Sequence, residues 1–260
     1  MNKFLLGVVG AFAMVTSASA ADLAARPYTK APVMIATAYD WSGFYIGVNG
    51  GWGSGRKCWD LTELGGFGPI APALNEGCHN ASGGTVGGQI GYRWQASSWV
   101  FGLEAQGNWA DFNGSNATLL NLFGGGVGLN TNRSRIDAFG LFTGQVGYAW
   151  NNALLYVKGG AAVTSDKYEG FRTATNVVFD TAKETRWGGV VGVGLEYGFT
   201  PNWSFAVEYD HLFMGNRNVN FTSVIAPVGV FSRTDRIRQG VDLVTARINY
   251  RFGGPVVAKY

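Results

Sequence analysis

The sequence predicts an all-β fold, an eight-stranded antiparallel up-and-down transmembrane β-barrel. Three observations predict it. Apolar and polar residues alternate with a period of two through eight separate stretches. The links between the stretches are alternately short and long. Tryptophans collect at both ends of the apolar faces. A period of two means a strand with two unlike faces. In a membrane barrel the apolar face meets lipid and the other face lines the inside.

The chain opens with MNKFLLGVVGAFAMVTSASA. Lys3, the apolar run from Phe4 to Val15 and the Ala18-Ser19-Ala20 triplet read as a cleavable secretory signal over residues 1–20. Residues 21–41, with Pro27 and Pro32 and no periodicity, read as a periplasmic lead-in. The barrel is expected over 42–252 and a short periplasmic tail over 253–260.

The strands are expected near 43–53, 84–95, 98–111, 134–150, 153–165, 185–200, 202–213 and 239–252. The short links are QAS, the tight-turn pair Asn151-Asn152, and the TPN run at 200–202. The long links, 54–83, 112–133, 166–184 and 214–238, are rich in Gly, Asn, Ser and Thr. Strict alternation of this kind matches periplasmic turns and extracellular loops. An even strand count leaves both termini on the periplasmic side.

The last strand, DLVTARINYRF, shows the two faces. Val244, Ala246, Ile248, Tyr250 and Phe252 are expected toward lipid, and Arg247 and Arg251 toward the interior. On the same parity rule Trp94, Trp99, Trp150 and Trp203 fall at the short-turn ends of apolar faces. Trp52, Trp109 and Trp187 fall at the long-loop ends. Tryptophan prefers the membrane–water boundary, because its body is apolar and its N–H wants a polar partner. Two aromatic girdles bounding an apolar belt are therefore expected.

Composition agrees. There are 40 Gly, 9 Trp, 11 Tyr and 17 Phe against 7 Pro, which suits a tightly packed all-β chain. Without Lys3 the chain carries 19 basic and 17 acidic residues, a net charge of +2, which points to no nucleic-acid partner. Cys58 and Cys78, the only cysteines, are expected to pair in an exported protein.

The stretches YDWSGFYIGVNGGWG and ARINYRFGGPVVAKY resemble the RopB-like porin family. These are small surface-antigen barrels of Gram-negative bacteria, similar to the OmpA membrane domain. The resemblance covers essentially the whole mature chain. It implies a protein of the cell outer membrane that contacts lipid and lipopolysaccharide, supports envelope integrity and offers outer loops to a host or surface ligand. It brings no catalytic residue and no cofactor. It also implies a C-terminal aromatic read by the barrel-assembly machinery. Many such barrels end on the aromatic of the last strand. Here GGPVVAKY follows Phe252, so Tyr250, Phe252 and Tyr260 are all candidates.

Arg93, Glu104, Lys158, Glu196, Glu208, Asp210, Arg247 and Arg251 take the interior parity. An eight-stranded barrel has a bore that side chains can fill. Charges enclosed there must pair, so four acids against four bases are expected to form a plug rather than an ion path. His211 takes the lipid-facing parity and has no serine placed to complete a dyad, which argues against a lipid-modifying enzyme. Cys58, Cys78 and His79 lack paired metal-ligand spacing. GGGVG at 124–128 completes no dinucleotide fingerprint. The expectation is a structural, surface-exposed barrel. A small diffusion porin is the alternative, and a lipid-modifying barrel enzyme a remote one.

Overall fold

Alternating side chains leave each strand one apolar and one mixed face. Main-chain groups on a bilayer-spanning sheet must all be paired, which only closure achieves. The computed structural model, which describes residues 39–120 and 128–253, shows that closure. Eight strands follow in sequence order: β1 (Gly43–Leu64), β2 (Gly68–Ala96), β3 (Trp99–Ala117), β4 (Asn130–Trp150), β5 (Ala153–Arg172), β6 (Val178–Gly198), β7 (Trp203–Ser223) and β8 (Phe231–Phe252). Each pairs with its neighbours, and β8 closes onto β1 with Phe252 opposite Phe44 and Val244 opposite Trp52. The expected signal and lead-in up to residue 38, the GGGVG run up to Val127 and the tail with Tyr260 lie outside the described residues.

The strands are longer than the periodicity suggests. β1 has 22 residues and β2 has 29, whereas a bilayer needs about 9–11 per tilted strand. Most of the expected long links are therefore continued ladder. The 54–83 link is reduced to a turn at 65–67, and the 166–184 link to 173–177. The 112–133 and 214–238 links shrink to 118–129 and 224–230. The reason is environmental. Beyond the membrane the outward face meets water, so it turns polar, and the contrast between faces fades while the pairing persists.

All seven girdle tryptophans point outward and are exposed, from Trp203 at 44% to Trp109 at 75%. Trp99 and Trp109 lie ten residues apart on β3, roughly 34 Å along the strand. At the tilt of about 40° usual for such barrels this is roughly 26 Å of height, close to the ~25 Å of an apolar band. The girdles thus bracket a span of bilayer thickness. The remaining two tryptophans turn inward: Trp41 is 2% exposed and Trp59 fully buried.

Cys58 and Cys78 face each other across β1 and β2 and form a disulfide. They sit six residues beyond Trp52 on β1, outside the belt.

An orientation with the long hairpins outward makes a direct prediction. Thr175→Cys and Val228→Cys, at exposed hairpin tips, should react with a membrane-impermeant maleimide on intact cells. Ala96→Cys, at a short turn, should react only after lysis. Labelling of Ala96→Cys alone would reverse the orientation.

Candidate functional site

The bore is the site that the fold builds. The inward residues of β8 sample it in order from the short-turn end: Arg251, Asn249, Arg247, Thr245, Leu243, Val241, Gln239, Ile237, Asp235 and Arg233, all buried. They pass through alternating polar and apolar layers.

The short-turn mouth is stopped by Tyr39, Trp41, Val100, Ala149, Leu154 and Tyr156. Arg251 sits here. Its guanidinium donates to the carbonyls of Ser42 and Pro201 at 3.0 and 2.8 Å and lies 3.7 Å from Asp40. It therefore does not join the other interior charges, a correction to the expected network of eight. The last strand places it at the rim, where main-chain carbonyls are its nearest acceptors.

The other seven form two groups. Arg93 pairs with Glu196 at 2.8 Å, and Glu196 also accepts from Ser204 and Asn249. Arg247 bridges Glu208 at 2.5 Å and Glu104 at 2.7 Å. Lys158 reaches Glu208 at 2.6 Å, Asp210 at 3.4 Å and Glu104 at 3.6 Å. Tyr45 donates to Glu104 and Tyr156 to Glu208, at 2.6 and 2.7 Å. Two glycines make room for these rings: a Cβ on Gly91 or Gly194 would collide with the Tyr45 or Tyr156 ring.

Above this network lies a fully apolar layer that no reading of charges foresaw. Phe112, Ile136, Phe139, Leu141, Leu212 and Leu243 are its main members, none more than 5% exposed. Farther out is a second polar layer. Lys57 meets Asp166 at 2.5 Å, and Arg186 donates to Gln239 at 2.9 Å. Trp59, Tyr168, Val219, Phe221 and Ile237 then form a second apolar plug. The outermost layer centres on Arg233, which pairs with Glu76 and Asp180 at 2.9 Å each and with Asp235 at 3.3 Å. Of the residues named in these outer layers only Arg186 and Gln239 lie on the expected strands; the others, Ile237 included, fall in stretches that the periodicity assigns to links. The available signal was the continued inward parity of Lys57, Trp59 and Leu61 on β1.

On the outer face His211 meets Asp242 at 2.7 Å, and Tyr209 donates to the same carboxylate at 2.6 Å. No serine takes part in these contacts. Among the described residues no cluster of His, Cys, Asp and Glu is arranged to hold a metal ion.

The Arg233 layer carries three carboxylates for one guanidinium. Burial pushes the Asp235 carboxyl up to about 8. Arg233 opposes that shift, but Glu76 and Asp180 share it and add repulsion. Both Asp235 oxygens also lack a hydrogen-bond partner. A folded-state value above the unfolded one means that the proton is bound more tightly in the folded protein. The associated stability is present below about pH 4 and is lost as pH rises toward 8. Asp235→Asn should flatten that slope in unfolding measured from pH 4 to 9. An unchanged slope would remove Asp235 as its source.

Neighbours on β8 should respond differently to charge. Arg247→Leu strands Glu104 and Glu208 without their shared guanidinium, at roughly 3–5 kcal/mol. Ile248→Arg places a cation on the lipid face, at about 2–4 kcal/mol near the midplane. Arg247→Lys keeps the charge and should cost less than Arg247→Leu. Urea unfolding of the refolded barrel in vesicles measures all three. A neutral Ile248→Arg would contradict the lipid-facing assignment.

The chain is similar to known proteins. The chain is 29% identical over 233 residues to the 31 kDa outer-membrane immunogenic protein of Brucella melitensis, covering 84% of this chain and 90% of that one. It is 28% identical over 205 residues to the 25 kDa outer-membrane immunogenic protein of Brucella abortus, covering 78% and 79%. Among solved structures the outer membrane protease OmpT of Escherichia coli superposes with a TM-score of 0.51. It has 12% identity and covers 81% of this chain and 97% of that one, a likeness of fold alone. Residues 9–230 match the family of outer membrane protein beta-barrel domains. An eight-stranded closed barrel, a lipid-facing belt between two tryptophan girdles and that match together mean that this chain belongs to the outer membrane protein beta-barrel family and resides in the outer membrane.

Proposed function

We propose that the protein is a closed, non-enzymatic outer-membrane barrel that supports the envelope and displays four hairpins at the cell surface. The observation that carries this reading is the apolar layer across the bore. A charged layer alone could hydrate and pass ions. A layer of Phe112, Ile136, Leu141, Leu212 and Leu243, each at most 1% exposed, offers water no polar partner. Stacked between two polar layers, it favours a rigid plug over a porin.

Three further features fit. The tips carry exposed apolar side chains, Val177, Val228 and Val230 among them, on a rigid scaffold of the kind on which recognition tends to sit. The Brucella relatives are named for immunogenicity, which fits surface exposure of such hairpins. The His211–Asp242 pair lies beside Tyr209 and Phe213 on the outer wall, away from the bore. Residues 1–20 would direct export. An aromatic among Tyr250, Phe252 and Tyr260 would engage the assembly machinery.

Planar-bilayer recording tests the reading. The refolded protein should give no uniform current steps, and overexpression should leave the mass of lipid A unchanged. Reproducible ohmic steps would establish a diffusion channel instead, and a shifted lipid A mass would establish an enzyme.

A further inference from the structure

Between β6 and β7 the ladder of the barrel wall is interrupted. Asp180 pairs with Ser223 and Thr181 with Thr222, and pairing resumes at Gly189 and Phe213. Across the interval β6 stays paired with β5, as at Thr185 and Ser165. Likewise β7 stays paired with β8, as at Arg217 and Ile237. Two strand edges thus face one another without a shared ladder. The membrane-side end of the gap is stitched by Arg186, whose Nη2 donates to the carbonyls of Gly215 and Ile237 at 3.2 and 2.9 Å. Next to this stitch a cavity of about 550 Å³ is lined by Glu184, Asn216, Arg217, Asn218 and Arg236. That volume is within the ordinary range for small-ligand sites.

Glu184 lies in the field of Arg186 and Arg217 but forms no direct ion pair with either. Among the described residues neither Arg217 nor Arg236 forms an ion pair, whereas nearby Arg238 lies 3.9 Å from Asp60. Glu184 has a buried oxygen, Oε2, with no hydrogen-bond partner. Two guanidinium groups fit a phosphate or carboxylate, which they can hold by paired hydrogen bonds. A carboxylate and two amides instead fit hydroxyl groups, because they accept or both donate and accept. A bare anion would meet Glu184 unfavourably, and a neutral sugar would leave both arginines unused. An anionic saccharide satisfies all five residues.

Height selects the source. Trp187 of β6 belongs to the girdle at the long-hairpin end, and Glu184 lies three residues farther out, roughly 10 Å along the strand. This is the headgroup level of a bilayer. We propose that this slot in the barrel wall binds an anionic saccharide headgroup of the surrounding outer leaflet. Arg217 and Arg236 hold its phosphate or carboxylate, and Glu184, Asn216 and Asn218 hold its hydroxyls.

The inference rests on the outer-membrane placement of the barrel but not on closure of its bore. Bilayer currents would therefore refute the plug and leave the slot untouched. The test uses the full mature chain in nanodiscs of phosphatidylcholine alone, with phosphatidylglycerol, or with lipopolysaccharide, and follows thermal unfolding. Lipopolysaccharide should raise the unfolding temperature above the gain from phosphatidylglycerol at equal charge. The R217Q/R236Q variant should weaken the apparent lipopolysaccharide affinity at least tenfold, while R238Q leaves it unchanged. E184Q should also weaken it, whereas a site that reads charge alone would bind more tightly once that carboxylate is gone. Equal gains from both anionic lipids, an equal gain from inorganic phosphate, tighter binding by E184Q, or full retention by R217Q/R236Q would each overturn the proposal.

Discussion

Everything in this barrel follows from the need to pair main-chain N–H and C=O groups where no water can reach them. In hydrocarbon each unpaired group would cost several kcal/mol, so the sheet has to close on itself. Closure of β8 onto β1 meets that requirement, from Phe44–Phe252 at one end to Leu64–Arg233 at the other. With only eight strands the bore is narrow, and narrowness makes the interior a packing problem rather than a conduit. The glycines at 91 and 194 belong to that problem: they give up side chains so that Tyr45 and Tyr156 can reach Glu104 and Glu208.

The interior solves the packing problem in layers. Charged side chains are admitted only where opposite charges and hydroxyls surround them, as around Arg247 and Lys158. Such a network is not strong evidence of stability, because desolvation offsets much of the attraction. Its members are mutually dependent, however, since the loss of one partner leaves the others buried and unpaired. Apolar layers separate the networks. The layer around Phe112 and Leu243 isolates the membrane-level charges from those around Lys57 and Arg233. Each network therefore has its own balance of charge, and the outermost one is left with an excess of carboxylates.

Outside the membrane the constraint relaxes, and the wall shows it. The ladder between β6 and β7 opens past Gly189, at the level of the girdle tryptophan Trp187, where water and headgroups can satisfy a main-chain edge that lipid tails cannot. Arg186 marks the boundary, fully buried and donating to main-chain carbonyls across the gap. The disulfide between Cys58 and Cys78 fastens the β1–β2 hairpin in the same water-exposed zone. Structural features that lipid would forbid are thus confined to the projecting half of the barrel.

Within the membrane the sequence alone determined a great deal. The alternation in DLVTARINYRF, the short turns and the placement of seven tryptophans specify strand number, closure and facing, because lipid and bore impose opposite demands on neighbouring residues. Beyond the membrane that contrast disappears, so the continued strands and the inward turn of Trp59, Phe221 and Ile237 became visible only in three dimensions. Partners across the bore were equally hidden. Parity says that Arg93 and Arg251 face inward, but only the stagger of the strands puts Glu196 beside the first and main-chain carbonyls beside the second. The gap between β6 and β7 left no trace in the alternation either. Facing is a local property of one strand, whereas pairing across a bore or a break in a ladder depends on where distant strands stop and shift.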